Sequence, residues 1–249
     1  MKRAVYRAYV ATLGLLAMIA PAPGATAEAA AKPLRVFAAA SLTEPFRALT
    51  ASGPGASPAY NFASSSLLVV QIQEGAAADV IATADEPTMQ RLVASAHVDT
   101  PQRFASNRLV IAVEPGNPKR IGGLAGLART DLIVVLAVPE VPAGRYARDL
   151  LDDAHVKVAP RSLEENVKAV LTKVLLGEAD AGIVYASDVQ STAGRVEALE
   201  IPEAARIAVG YFIAPLRTAR EPAAARTFID RVLSPEGRRV LAEAGFGPP

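Results

Sequence analysis

From Leu34 onward, apolar runs of strand length alternate with amphipathic stretches of helical length, and Gly, Pro, Ser and Asn mark the joins. That alternation predicts an α/β fold with largely parallel sheets. Leu34–Ala38 reads as the first strand and Ala59–Phe62 as the second. Ala78–Thr83, Asn107–Val113, Asp131–Val138 and Ala181–Tyr185 follow, the last two being continuous apolar runs that suit strands buried on both faces. Arg206–Pro215 reads as a further β segment.

Helix boundaries are marked by caps and stops. Ser41-Leu42-Thr43-Glu44 has capping-box spacing, but Pro45 would then remove a needed N–H. An N-cap at Thr43 places Pro45 in the first turn, where the missing donor is harmless, and leaves Ser41 free to face a ligand. Ser64-Ser65-Ser66 precedes a short helix over Leu67–Gln73 that stops at Gly75. Asp85 caps the next helix, with Pro87 in its first turn. Gly122-Gly123-Leu124 opens a short helical piece, and Pro142-Ala143-Gly144-Arg145-Tyr146 leads into a helix through Leu151. Glu164-Glu165-Asn166 introduces a helix over Val167–Leu176, stopped at Gly177, and a polar turn follows Tyr185. Glu221–Leu233 and Pro235–Ala244 close the chain, the last with Ser234 as N-cap and Gly245 as stop. Ser52–Pro58 is a turn, and no linker is rich enough in Gly, Ser or Pro to tether independent domains.

The N-terminus has a different character. Lys2, Arg3 and Arg7 form a positive segment, Ala8–Ala20 is apolar, and Ala25-Thr26-Ala27 offers a cleavage site, so residues 1–27 read as a secretory signal peptide. A membrane anchor fits less well, because the apolar segment is short and Pro21 and Pro23 interrupt it. The 249-residue chain carries 26 Lys and Arg against 25 Asp and Glu, which argues against a nucleic-acid partner bound through a basic face. With no Cys, disulfides, thiolate metal sites and a lipid-bearing N-terminal cysteine are excluded. An aromatic content of 5% without Trp disfavours stacking platforms for sugars or bases.

Several chemistries are missing. His97 and His155 stand alone, without the spaced partners of a zinc site. No G-x-S-x-G elbow, P-loop or dinucleotide fingerprint occurs. The acidic pairs Glu164-Glu165 and Asp152-Asp153 lie in polar company and read as solvated faces. What remains is a set of neutral donors at strand-to-helix junctions: Ser41, Ser65, Ala143, Val167 at the first position of its helix, and Tyr185 at the end of a buried strand. A helix start carries unpaired N–H groups and a positive dipole end, so such junctions suit a small anion. Each also has a plain structural alternative: a cap, a tight turn, a core valine, a satisfied core phenol.

Taken together, these runs resemble the molybdate-binding (ModA) family of bacterial ABC importers, within the type II periplasmic binding proteins. The matching stretches are Val36–Leu42, Phe62–Ser66, Ala78–Val80 with Ala84-Asp85, Val141–Ala147, Glu165–Val167 with Leu171–Val174, and Gly182–Asp188. They occur in the family's order across nearly the whole chain after the signal, departing at Val138 and in the short Pro139-Glu140 loop. The resemblance implies two α/β lobes, each a mostly parallel sheet flanked by helices, with the ligand cleft between them. It implies one lobe over 28–107 and 214–249, a second over 108–213, and crossings near 107–113 and 209–215. It implies molybdate, and tungstate with it, held by the hydroxyls and amides at Ser41 and Ser65, the N–H groups at Ala143 and Val167, and the Tyr185 hydroxyl. No protein–metal ligand, cofactor or catalytic residue is expected. The implied partners of this periplasmic monomer are the permease and ATPase subunits of an importer. The alternatives are the same fold holding sulfate or another small anion, a secreted serine-dependent enzyme using Ser41 or Ser65, and a ligand-sensing regulatory domain. The enzyme lacks a positioned base, and the sensor lacks a helix-turn-helix segment.

Overall fold

The structure, a computed structural model, describes residues 32–51 and 57–249. The expected signal segment and most of the 52–58 turn lie outside them. Strand β1 (Arg35–Ala39) runs into a 3-10 turn over Ala40–Leu42 and then helix α1 (Thr43–Ala51). Thr43 is the first α-helical residue and not a cap: its hydroxyl donates to the Ala40 carbonyl at 2.7 Å, because the helix grows directly out of the 3-10 turn. Next come β2 (Ala59–Ala63), α2 (Ser65–Gln73), β3 (Val80–Thr83) and α3 (Glu86–Ala94). Ser64 caps α2, which starts two residues before the expected Leu67, and Asp85 caps α3 by accepting from the Thr88 N–H.

Strands β4 (Gln102–Asn107), β5 (Leu109–Val113) and β6 (Val134–Ala137) precede α4 (Pro142–Asp153) and β7 (Ser162–Glu164). Helix α5 (Val167–Leu175) is capped by Asn166, whose side-chain oxygen accepts from the Ala169 N–H at 3.0 Å. Then come β8 (Ala181–Tyr185), α6 (Ala186–Gln190), β9 (Glu197–Glu200), β10 (Val209–Pro215), α7 (Pro222–Leu233) and α8 (Pro235–Glu243). The stretch after Tyr185, expected as a polar turn, is α6. Its five residues are too few to show a period, and Asp188 fixes its start by accepting the Tyr185 N–H at 3.2 Å.

Two mixed five-stranded sheets result, in the orders β2-β1-β3-β10-β4 and β7-β6-β8-β5-β9. In each, three parallel strands adjoin one antiparallel strand, β10 in the first sheet and β5 in the second. The chain passes from the first sheet to the second at Arg108, between β4 and β5, and returns between β9 and β10. β10 pairs along its length with β3 and β4, so Val209–Ile213 lie in the first sheet, not with the second as the lobe limits at 213 and 214 had them.

One continuous core draws on both sheets, with a smaller cluster of Leu68, Ile72, Met89 and Leu92 beneath α2 and α3. Where the sheets meet, the Tyr211 ring packs edge-on against Phe104, Tyr185 and Phe246 at centroid distances of 6.1, 6.1 and 5.1 Å. Buried Asp79 accepts the backbone N–H groups of Arg35, Arg220 and Glu221, which ties β1 and β3 to the start of α7.

Candidate functional site

In open parallel sheets, ligands collect beyond the carboxyl ends of the strands, where loops diverge toward helices on opposite faces. The carboxyl ends of β1, β2, β3 and β8, and the loop after β6, converge here on one cavity. Ser41, Ser65, Ala143, Val167 and Tyr185, the five candidates from the sequence, all line it. They come from both sheets, so the cavity lies between the two lobes. It encloses about 20 Å³, on a measure by which one water needs roughly 10–15 Å³. That room suits one small ion.

Among the described residues, no charged side chain lines the cavity. Its polarity comes from backbone and hydroxyl donors. Three helices of nine residues or more, α2, α4 and α5, begin at its wall, and the first-turn N–H groups of Ser65, Ala143 and Val167 have no intrahelical acceptor. The caps Ser64 and Asn166 serve N–H groups two positions further on, at Leu67 and Ala169. Val141 caps α4 without a side-chain bond. Close approach of α4 requires glycine at Gly144, since a Cβ there would sit 2.0 Å from the Val138 carbonyl oxygen and 2.6 Å from that of Ala137.

The Ser41, Ser65 and Tyr185 hydroxyls stand at the cavity wall. Ser65 Oγ accepts the Ala84 N–H at 3.0 Å, leaving its proton to point elsewhere. Ser41 Oγ lies 2.9 Å from the Tyr211 hydroxyl. Tyr185 is 1% exposed, and its hydroxyl has no hydrogen-bond partner among the described residues. Burial pushes its pKa well above the ordinary phenol value, with Tyr211 adding to the shift, so it remains an O–H donor. Such an orphan is costly in a folded protein unless something accepts from it.

Asp188 lies behind this wall, fully buried at the start of α6. Burial raises its pKa to about 6, while Lys168 at 3.6 Å and the Tyr185 N–H pull the other way. Polar contacts bridge the lobes around the cavity, among them the Asn107 amide, which donates to the Ser187 hydroxyl at 2.8 Å. Arg145 on α4 pairs with the buried Asp85 carboxylate, Lys168 on α5 reaches Glu44 on α1 at 2.8 Å, and the Ser66 hydroxyl donates to the Glu140 carbonyl at 2.6 Å. Asp85, Arg145, Asn107 and Tyr211 carry no sequence signal for these pairings, because their partners lie far away in the chain.

Among the described residues, no group of three or more His, Cys, Asp or Glu side chains is placed to hold a metal ion. None of the described helices is long and apolar enough to cross a membrane.

The family model for bacterial extracellular solute-binding proteins matches residues 34–247. The molybdate-binding protein ModA of Mycobacterium tuberculosis is 41% identical over 224 residues, covering 88% of this chain and 86% of its own. The periplasmic molybdate-binding protein of Azotobacter vinelandii superposes with a TM-score of 0.76 at 19% identity, covering 87% of this chain and 99% of that one. The sulfate-binding protein SubI of M. tuberculosis gives 0.73, also at 19% identity, over 87% and 86%. At such identities the two superpositions speak for the fold alone, and that fold is the type II periplasmic binding protein. The chain belongs to the bacterial extracellular solute-binding proteins and, among them, to the ModA family.

Proposed function

We propose that this chain is the extracytoplasmic substrate-binding component of an ABC importer and holds molybdate, with tungstate as a second ligand, in the cleft between its lobes. The observation that carries the reading is the buried Tyr185 hydroxyl, which among the described residues is a donor without an acceptor in a cavity without a charge. A tetrahedral dianion supplies the missing acceptor. Hydrogen bonds to an ionised acceptor are stronger than neutral ones, and helix N-termini add partial positive charge, so a dry cleft can hold the anion without a countercharge.

Donor polarity also sets selectivity. Hydrogen phosphate keeps a proton that needs an acceptor, but the Ser64, Ser65 and Asn166 side-chain oxygens already accept from Leu67, Ala84 and Ala169. Sulfate carries the same charge as molybdate, and cavity size must tell them apart. The protein binds and releases its ligand unchanged, as a solute-binding protein does. Export places it outside the cytoplasmic membrane, where a permease with its ATPase accepts the loaded form.

Ligand-dependent thermal unfolding tests this. A ligand that binds only the folded protein raises the melting temperature with concentration. Molybdate and tungstate are expected to raise it at micromolar concentrations, sulfate only at higher ones, and phosphate not at all. A sulfate response stronger than the molybdate response would overturn the assignment.

A further inference from the structure

A hydroxyl can either donate or accept, and Ser41 serves an anion only if its proton points into the cleft. Its neighbours settle which role it takes. Tyr211 is fully buried on β10, with its hydroxyl 2.9 Å from Ser41 Oγ and 3.5 Å from Asn107 Nδ2. The Asn107 amide is oriented by its own backbone, because its Oδ1 accepts the Arg108 N–H at 2.9 Å. Its Nδ2 group therefore faces inward and donates to the Ser187 hydroxyl at 2.8 Å and toward Tyr211.

An amide nitrogen cannot accept a hydrogen bond, so the only acceptor within reach of the Tyr211 proton among the described residues is Ser41 Oγ. Were Ser41 the donor instead, a fully buried phenolic O–H would be stranded, at the full desolvation cost of an unsatisfied donor. Burial and the nearby Asp188 carboxylate raise the Tyr211 pKa, so the phenol stays protonated.

We infer that Tyr211, oriented by Asn107, is a positioning residue for ligand binding: it donates to Ser41 Oγ and thereby fixes the Ser41 proton on the cleft side. This rests on the cleft holding an oxyanion. The relay runs from Asn107, the last residue of β4 before the passage between lobes, through β10 to the wall of the cavity. It parallels the second serine, where the Ala84 N–H occupies the acceptor side of Ser65.

A double-mutant cycle with Tyr211→Phe and Ser41→Ala, read by calorimetric titration of the purified protein with molybdate, tests the relay. Phe keeps the ring and its edge-on packing and removes only the hydroxyl. Tyr211→Phe is expected to weaken binding about tenfold in the parent and by less than about twofold in the Ser41→Ala background, as for loss of one hydrogen bond acting through Ser41. Equal losses in both backgrounds would mean that Tyr211 acts through packing, and an unchanged affinity in the parent background would mean that it does not act at all. Either result overturns the inference while leaving the cleft reading intact. A parent protein that binds no molybdate would sink the cleft reading and the relay with it.

Discussion

The Tyr185 hydroxyl and the Ser65 hydroxyl both face the cleft, yet removing each has a different expected effect on the empty protein. Tyr185 O–H has no partner among the described residues, so Tyr185→Phe removes a desolvated donor and should leave stability unchanged or raised by up to about 1 kcal/mol. Its molybdate affinity should fall by about 1.5–3 kcal/mol, as for a hydrogen bond to an ionised acceptor. Ser65→Ala strands the buried Ala84 N–H, so it should lose affinity and also about 1–3 kcal/mol of stability. Calorimetry paired with denaturant unfolding on both variants reads the two effects separately, and a Tyr185→Phe protein that binds as tightly as the parent would refute the role of Tyr185. Asp188 gives a pH signature. Its carboxyl is raised from 3.8 to about 6, so the native state holds the proton where the unfolded chain has lost it. Stability from this group therefore falls as pH rises from about 4 to 6 and is flat above, a change on the order of 3 kcal/mol at most. Asp188→Asn should flatten that part of an unfolding-versus-pH profile. Ser41, Ser65, Ala143, Val167 and Tyr185 could be named because each stands at or beside a strand-to-helix junction, and the family resemblance, not local pattern, grouped them. Tyr211 and Asn107 could not, because nothing local marks a tyrosine in a β run as the partner of a serine 170 residues away.

Helices make the cleft polar, and here the sequence was most readable. Asp85, Asn166 and Ser234 cap the helices that their spacing announces, and Gly75, Gly177 and Gly245 follow helix ends with positive φ as C-terminal stops require. Strands β4, β7 and β9 escaped notice for a shared reason. Each is an edge strand whose Gln102–Asn107, Ser162–Glu164 or Glu197–Glu200 sequence is polar and partly exposed, so neither an apolar run nor a clean alternation signals it. Asp131–Val138 shortened to Val134–Ala137 for the converse reason, its apolar run continuing through Ile133, which is exposed. Among the cleft helices, α4 depends on one glycine. Gly144→Ala would drive a methyl group into the Val138 and Ala137 carbonyls, forcing the helix start outward and the Ala143 N–H off its line. A stability loss of at least about 2 kcal/mol with a lower molybdate affinity is expected from such overpacking, and unfolding and titration of the variant check both.

The two lobes are joined by the β4–β5 and β9–β10 passages, share one core, and touch around the cavity through Arg145–Asp85, Lys168–Glu44 and Ser66–Glu140. Donors on both walls make closure depend on what lies between them, because an anion gains its full set of hydrogen bonds only when both walls are in reach. Arg145→Ala leaves the buried Asp85 carboxylate without its cation, although the Thr88 N–H remains. Since Arg145 is one-third exposed, a cost of about 1–2 kcal/mol is expected, weighted toward the closed arrangement. Small-angle scattering should then show a smaller molybdate-induced compaction in the variant than in the parent; equal compaction would mean that the pair does not latch the lobes. The resemblance placed the outward crossing beside Arg108, but its return limit fell inside β10, since an apolar strand reads alike in either sheet. The central claim, an uncharged clamp for a tetrahedral dianion with room suited to molybdate, is tested most directly by calorimetric titration of the purified protein with molybdate and, separately, sulfate. Saturable one-to-one binding of molybdate with markedly weaker sulfate binding is the predicted result, and sulfate binding as tight as or tighter than molybdate, or no molybdate binding, would contradict it.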